Sequence, residues 1–189
     1  MQQRYAIFET NAGACGIGWN AHGITRFQLP SHDARSTERH LLARMRDAMR
    51  MEAPPAEMGA VVTAVGKYWT GERVDFSETV LDLREQDALF LRVYDAVRAV
   101  AWGQTTTYGS VARTLGMGPE FARSVGQAMA RNPVPLIIPC HRVLAAGNRS
   151  GGFSAPGGVD TKLRMLRLEG MSIGAPSAPQ PEQQALAFQ

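Results

Sequence analysis

Cysteine is nearly absent from this sequence: the 189 residues hold two, Cys15 and Cys140. Two thiols make no disulfide framework, and one in each half makes no cysteine-rich zinc site, so neither a metal nor any other cofactor is expected. Lysine is as rare, with only Lys67 and Lys162 among 20 cations, the rest being arginine. That bias suits planar recognition of phosphates or carboxylates. No apolar run approaches the roughly 20 residues that span a bilayer. The opening "MQQRYAIFETNAG" lacks a basic-then-apolar signal pattern, which makes the cytoplasm the expected compartment and excludes a membrane role.

What is present is ordinary globular material, 44% hydrophobic and 20% charged, enough for one core or two small domains. The charge is unevenly spread. Residues 1–103 carry 12 basic and 13 acidic side chains, whereas residues 104–174 carry 8 basic and 3 acidic. The basic stretch is the one that contains Cys140.

The patterning predicts an α+β protein of two lobes. Over 1–85 the runs "YAIFE", "ACGIGW" and "ITRFQL", separated by "TNAG" and "NAHG", read as a small antiparallel meander. Ser36 reads as the N-cap of an amphipathic helix carrying Leu41, Leu42, Met45 and Met49, ended by "EAPPAE". A second helix is expected from about Pro55 to Tyr68, and "VLDL" as a short extended piece. The second lobe, 86–174, reads as mostly helical: a helix over 86–101, a helix capped by Thr107 through Leu115, and a turn at Gly116, Met117 and Gly118. A helix opened by Pro119 and ended before Asn132 follows. Two helices around so short a turn make the helix-turn-helix pattern. "VPLIIPC" reads as a buried extended segment, "AAGNRSGGFSAPGG" as a glycine-rich loop, and "VDTKLRMLRLEG" as a final helix. Residues 175–189, rich in proline, glutamine and alanine, are expected to be a flexible tail.

The chemistry concentrates in "NPVPLIIPCHRV", residues 132–143. A free thiol is only a few per cent ionised at neutrality, and a neighbouring imidazole changes that. His141 is the adjacent base. Consecutive residues of an extended segment point to opposite sides, so either the chain bends after Pro139 or a water bridges the pair. A third group must hold the imidazole. The acids of the basic half are Glu120, Asp160 and Glu169, and Glu169 on the last helix is the best placed. Cys15, in its glycine-flanked strand, reads as a small core residue.

This segment resembles the active-site signature of the O6-alkylguanine-DNA alkyltransferases, the methylated-DNA–protein-cysteine methyltransferases. The resemblance runs over residues 90–172 with "TTTYGSVA", "ARSVGQAMARNP", "GGFSAPGG" and "LRMLRLEG" in the expected order. It implies direct repair of DNA: Cys140 takes the alkyl group from guanine O6 irreversibly, His141 accepts the thiol proton through a water, Glu169 orients the imidazole, and Asn132 braces the turn over the cysteine. It further implies that Tyr108 helps swing out the nucleotide and that the backbone at Val143 reads the guanine edge. Phe153 and Ser154 are expected as pocket wall and O6-side donor. Arg123 would fill the gap left by the extruded base, with Ser124, Gly126, Ala128 and Ala130 letting the helix approach the minor groove. The partner implied is double-stranded DNA containing O6-alkylguanine, bound by a monomer. Glu120 and Phe121 depart from the family's small residues at the head of that helix. The competing readings are a helix-turn-helix DNA-binding protein with an incidental thiol and a lesion sensor that binds without transfer. Sensors of that kind lack the cysteine.

Overall fold

The computed structural model describes residues 2–45 and 47–173; the tail expected over 175–189 lies outside them. Three strands form the expected meander, β1 (Arg4–Phe8), β2 (Cys15–Asn20) and β3 (Gly23–Gln28), paired antiparallel in that order. Period-two patterning in β2 sorts its residues by face. Cys15, Ile17 and Trp19 enter the main core, while Gly16 and Gly18 leave room for helix α1 (Ala34–Leu42) and the turn after it. A β-carbon at Gly16 would sit 3.0 Å from Leu41, and one at Gly18 would sit 2.5 Å from the Met45 thioether. On that face Tyr5, Leu41 and Met45 make a small second core.

Helix α1 departs from the sequence reading at both ends. Its N-cap is Asp33, whose carboxylate accepts the Ser36 backbone N–H at 2.6 Å, so Ser36 lies inside the helix. It stops at Leu42, and Met49 belongs instead to β4 (Met49–Arg50), a fourth strand pairing parallel with β1. Helical spacing holds Leu41 and Met45 together on the sheet, but the free edge of β1 captures the chain before Met49 completes the row.

Helix α2 (Ala56–Trp69) buries Val65, Tyr68 and Trp69, and Leu81 of "VLDL" bridges Ile24. The second half holds α3 (Ala88–Arg98), α4 (Tyr108–Thr114), α5 (Ala122–Ala130) and α6 (Gly158–Leu168), with the two-residue strands β5 (Thr106–Thr107) and β6 (Val143–Leu144) paired parallel. Thr107 caps α4 as expected, accepting from Ser110 N at 3.1 Å. Gly116 takes the left-handed conformation (φ 73°) that ends α4, and Pro119–Phe121 form a single 3-10 turn before α5. Tyr94 of α3 donates to the Ala128 carbonyl of α5 at 3.1 Å. Among the described residues no helix is long and apolar enough to cross a membrane.

The segment expected to be extended, 134–140, is instead a tight buried loop. Ile138 N returns to Val134 O at 2.9 Å, and Leu136 is held at φ 78°, a left-handed conformation that costs a non-glycine residue about 1 to 3 kcal/mol. Prolines at 133, 135 and 139 remove ladder donors, which favours a turn over a strand here. One apolar cluster spans both halves of the chain, from Ile17 and Phe27 through Tyr68 to Val93, Ile138 and Met165. Phe27 N also donates to the Pro133 carbonyl at 2.9 Å, tying β3 to the loop that carries Cys140.

Candidate active site

Cys140 begins a 3-10 turn, Cys140–Arg142, immediately after Pro139, so the chain bends where the sequence required either a bend or a bridging water. Asn132 braces the loop that leads there. Its Nδ2 donates to the Ile138 carbonyl at 2.8 Å and its Oδ1 accepts Val134 N at 3.0 Å. Cys140 is only 6% exposed, yet it lies on the wall of a cavity of about 460 Å³ together with Met129, Pro135, Phe153 and Ser154.

Behind the thiol is a buried polar cluster. His141, fully buried, places Nε2 2.7 Å from Glu169 Oε1. Arg142 forks onto the same carboxylate, Nε to Oε2 at 2.8 Å and Nη2 to Oε1 at 3.0 Å, and its Nη1 donates to the Val100 carbonyl at 2.6 Å. Tyr68 donates its hydroxyl to Glu169 Oε1 at 3.2 Å, and Gly103 N lies 3.4 Å from Oε2. An acid at a helix C-terminus opposes the macrodipole, and these donors explain why Glu169 sits there.

The electrostatics follow from burial and pairing. Burial pushes the Glu169 carboxyl up, but the hydrogen bonds and charges of His141 and Arg142 win and hold it at about 2. Burial lowers the His141 pKa against the pull of Glu169, so the imidazole rests neutral at pH 7. With Nε2–H donated to ionised Glu169, Nδ1 is the basic nitrogen, and it has no hydrogen-bond partner among the described residues. Burial raises the Cys140 thiol; the Asn132 side chain, the Lys162 charge and the backbone N–H groups of Cys140 and His141 oppose that without reversing it. At rest the sulfur is therefore a protonated thiol beside a neutral base.

The remaining expected residues divide by location. Phe153 and Ser154 line the cavity, but the Ser154 hydroxyl donates to the Ala130 carbonyl at 3.1 Å, closing the end of α5, so its proton is not aimed at a ligand. The Val143 carbonyl, expected to face a ligand, already accepts Lys162 Nζ at 2.6 Å. Tyr108 opens α4 with its ring against the glycine loop, a β-carbon at Gly151 falling 3.3 Å from its hydroxyl. Burial and the Cys140 charge raise its pKa. Arg123, Ser124 and Gly126 lie on α5 outside the cavity, Arg123 exposed. Ala128, expected on the same open face, is completely buried because the 3.6-residue period carries it to the core side. Glu120 and Phe121 are exposed at the turn before α5. Cys15 is buried core, its thiol pushed to about 12 by burial.

Sequence reasoning missed three members of the cluster. Arg142 stood inside the quoted motif and signalled itself only as a cation. Lys162, one of two lysines, is fully buried with its pKa lowered to about 8 by burial, the Cys140 charge working the other way. Tyr68 comes from α2, in the lobe that gave no functional signal. Among the described residues no three His, Cys, Asp or Glu side chains converge to hold a metal ion.

A family profile described as "6-O-methylguanine DNA methyltransferase, DNA binding domain" matches residues 88–171. The methylated-DNA–protein-cysteine methyltransferase of Metallosphaera sedula is 43% identical over 110 residues, 58% of this chain and 66% of that one. The protein of the same description from Methanothermobacter thermautotrophicus is 33% identical over 158 residues, 84% of this chain and 80% of that one. Among solved structures, Mycobacterium tuberculosis OGT in complex with DNA superposes with a TM-score of 0.71 at 26% identity, covering 88% of this chain and 92% of that chain.

Proposed function

The chain belongs to the methylated-DNA–protein-cysteine methyltransferase family, and from that premise we propose that it repairs DNA by moving an alkyl group from guanine O6 to the Cys140 sulfur, once per molecule. The observation that carries this reading is the free thiol on a cavity wall, followed by an imidazole whose Nε2 is fixed to a buried carboxylate at 2.7 Å.

The resting charges set the order of events. A thiol kept protonated by burial needs its proton removed as it attacks, and the neutral His141 accepts it at Nδ1, through a water. The sulfur displaces O6 in line from the alkyl carbon, so the C–S bond forms as the C–O bond breaks and its electron pair passes to the purine. The purine regains one proton at N1 and leaves as guanine. Glu169, 2.7 Å away, stabilises the imidazolium formed in this step. A thioether has no hydrolytic exit, which makes the reaction stoichiometric.

The partner is double-stranded DNA containing O6-alkylguanine, met as a monomer in the cytoplasm. Helix α5 enters the minor groove along Arg123, Ser124 and Gly126, and Arg123 occupies the place of the everted base. Tyr108 stands beside the cavity to assist rotation, Phe153 packs on the purine, and Asn132 keeps the loop closed.

Mixing the protein with an O6-methylguanine duplex should replace one thiol hydrogen by methyl in the peptide containing Cys140, at most once per chain, and Cys140→Ser should abolish the change. Loss of the lesion with unmodified protein, or labelling elsewhere, would sink the transfer reading. Retained binding to the damaged duplex without transfer would leave a sensor.

A further inference from the structure

The loop that carries Cys140 has a second face. Pro135 and Cys140 line the thiol cavity, as do Arg26, His40 and Arg44 of the first lobe. Leu136, Ile137, Pro139 and Arg142 line another cavity of about 460 Å³, which shares no residue with the first. Val74 and Trp102 add apolar surface there, and Arg73 and Arg98 add charge. The three arginines differ in what they have left to give. Arg98 is anchored, its Nη2 donating to the carbonyls of Phe76, Ser77 and Thr79 at 3.1, 2.7 and 2.9 Å. Arg142, with a side chain 10% exposed, spends three of its five N–H groups on Glu169 and the Val100 carbonyl, so one hydrogen on each Nη has no partner among the described residues. Exposed Arg73 makes no hydrogen bond or ion pair among the described residues. The acid on this wall, Asp75, accepts Ser77 N at 2.8 Å and forms no ion pair among the described residues.

We propose that this cavity is a second ligand site, for a small carboxylate with a flat apolar body, and that its occupant acts on the proton relay through Arg142. Three guanidiniums stand against the carboxylates of Asp75 and Glu169, an excess of one positive charge that suits a monoanion. The spare hydrogens of Arg142 and the free Arg73 guanidinium take the carboxylate, which a planar fork of donors matches, and Trp102 and Val74 take the apolar body. A DNA phosphate fits less well, because no residue of α5 lines this cavity. The route to the relay is short. An anion on Arg142 draws guanidinium charge away from Glu169, whose Oε1 lies 2.7 Å from His141 Nε2, and adds its own negative field. Both effects stabilise the imidazolium formed during transfer. The link to the relay rests on the alkyl-transfer reading, whereas binding does not.

Calorimetric titration of the full chain with 2-naphthoate, and with its uncharged amide 2-naphthamide, reads the binding. The acid should bind once per chain and about tenfold more tightly than the amide. Arg73→Ala should weaken the acid about tenfold, Arg73→Glu further and Arg73→Lys little, with the amide unmoved by all three. Equal affinity for acid and amide, or acid binding that survives Arg73→Glu, would overturn the site. Saturating 2-naphthoate should then speed Cys140 methylation by an O6-methylguanine duplex about threefold in the wild-type protein and leave Arg73→Glu at its own basal rate. An unmoved wild-type rate at saturation would overturn the link to the relay. Failure of methylation in the absence of 2-naphthoate would overturn alkyl transfer itself, while the calorimetry still decides the site.

Discussion

The Tyr68 hydroxyl lies 3.2 Å from Glu169 Oε1, joining residues 101 positions apart and making α2 of the first lobe part of the cluster behind the thiol. Burial and the Glu169 charge push the Tyr68 pKa well above its ordinary value, so it stays a donor at every physiological pH. The sheet lobe therefore supplies a polar contact to the proposed proton relay as well as packing.

Replacing that donor tests the relation. Tyr68→Phe keeps the ring and should lower stability by about 2 kcal/mol, as for a lost hydrogen bond to a charged group. With one donor fewer, Glu169 concentrates its charge on His141, so the acid limb of the transfer rate should move to higher pH. An unmoved pH profile with reduced stability would make Tyr68 a packing residue only.

Acid should unfold the protein in two stages. His141 has a lowered pKa in the fold, so below about 6.5 the unfolded chain binds a proton first and stability begins to fall. Glu169 titrates near 2 when folded against 4.5 ordinarily, so its contribution is present above pH 4.5 and is lost as pH drops toward 2. Urea unfolding at pH 7.5, 5.5 and 3.5 should show both losses, and His141→Gln should remove the first and diminish the second, because His141 helps hold the Glu169 pKa down. A variant with the wild-type slope between pH 7.5 and 5.5 would contradict this.

Lys162 predicts a further rise in stability at alkaline pH. Its pKa is about 8 in the fold against 10.5 ordinarily, so the penalty for burying its charge is full below pH 8 and is relieved between 8 and 10.5. Relative to Lys162→Met, the wild-type protein should gain about 3 kcal/mol across that window. A constant difference between the two proteins across that window would mean that burial leaves the Lys162 pKa at its ordinary value.

The open face of α5 can be examined apart from the thiol. A β-carbon at Gly126 meets no protein atom within 4 Å, so Gly126→Gln should fold normally and gain about 0.5 kcal/mol from helix propensity. On a duplex substrate both Gly126→Gln and Arg123→Ala should slow transfer about tenfold or more, while a free O6-alkylguanine base should react almost as before. Equal losses on duplex and base would remove α5 from the DNA interface.

Local rules explain which parts of this molecule could be read in advance. The β1–β3 meander followed from period-two runs between turn residues, and the α4–α5 pair from Thr107, Gly116 and Pro119, because caps and turns are short-range physics. The extended reading of 134–140 failed because three prolines and a strained Leu136 decide a turn that only the surrounding core can hold. The cap of α1 was misread because both Asp33 and Ser36 are good N-caps, and the choice between them depends on where the helix must meet the sheet. Arg142, Lys162 and Tyr68 escaped because a buried charge or hydroxyl is legible only through its partners.

Taken alone, the order of residues determined the chemistry on offer: one thiol after a proline, an imidazole beside it, and an acid on the last helix. Tertiary structure decided the states in which those groups meet. Burial keeps the thiol protonated and the imidazole neutral, an arginine fork keeps the acid ionised, and cations from the first lobe face the same cavity as the sulfur. Ionisation depends on solvent exclusion and on neighbours distant in sequence, and both exist only once the chain has closed on itself.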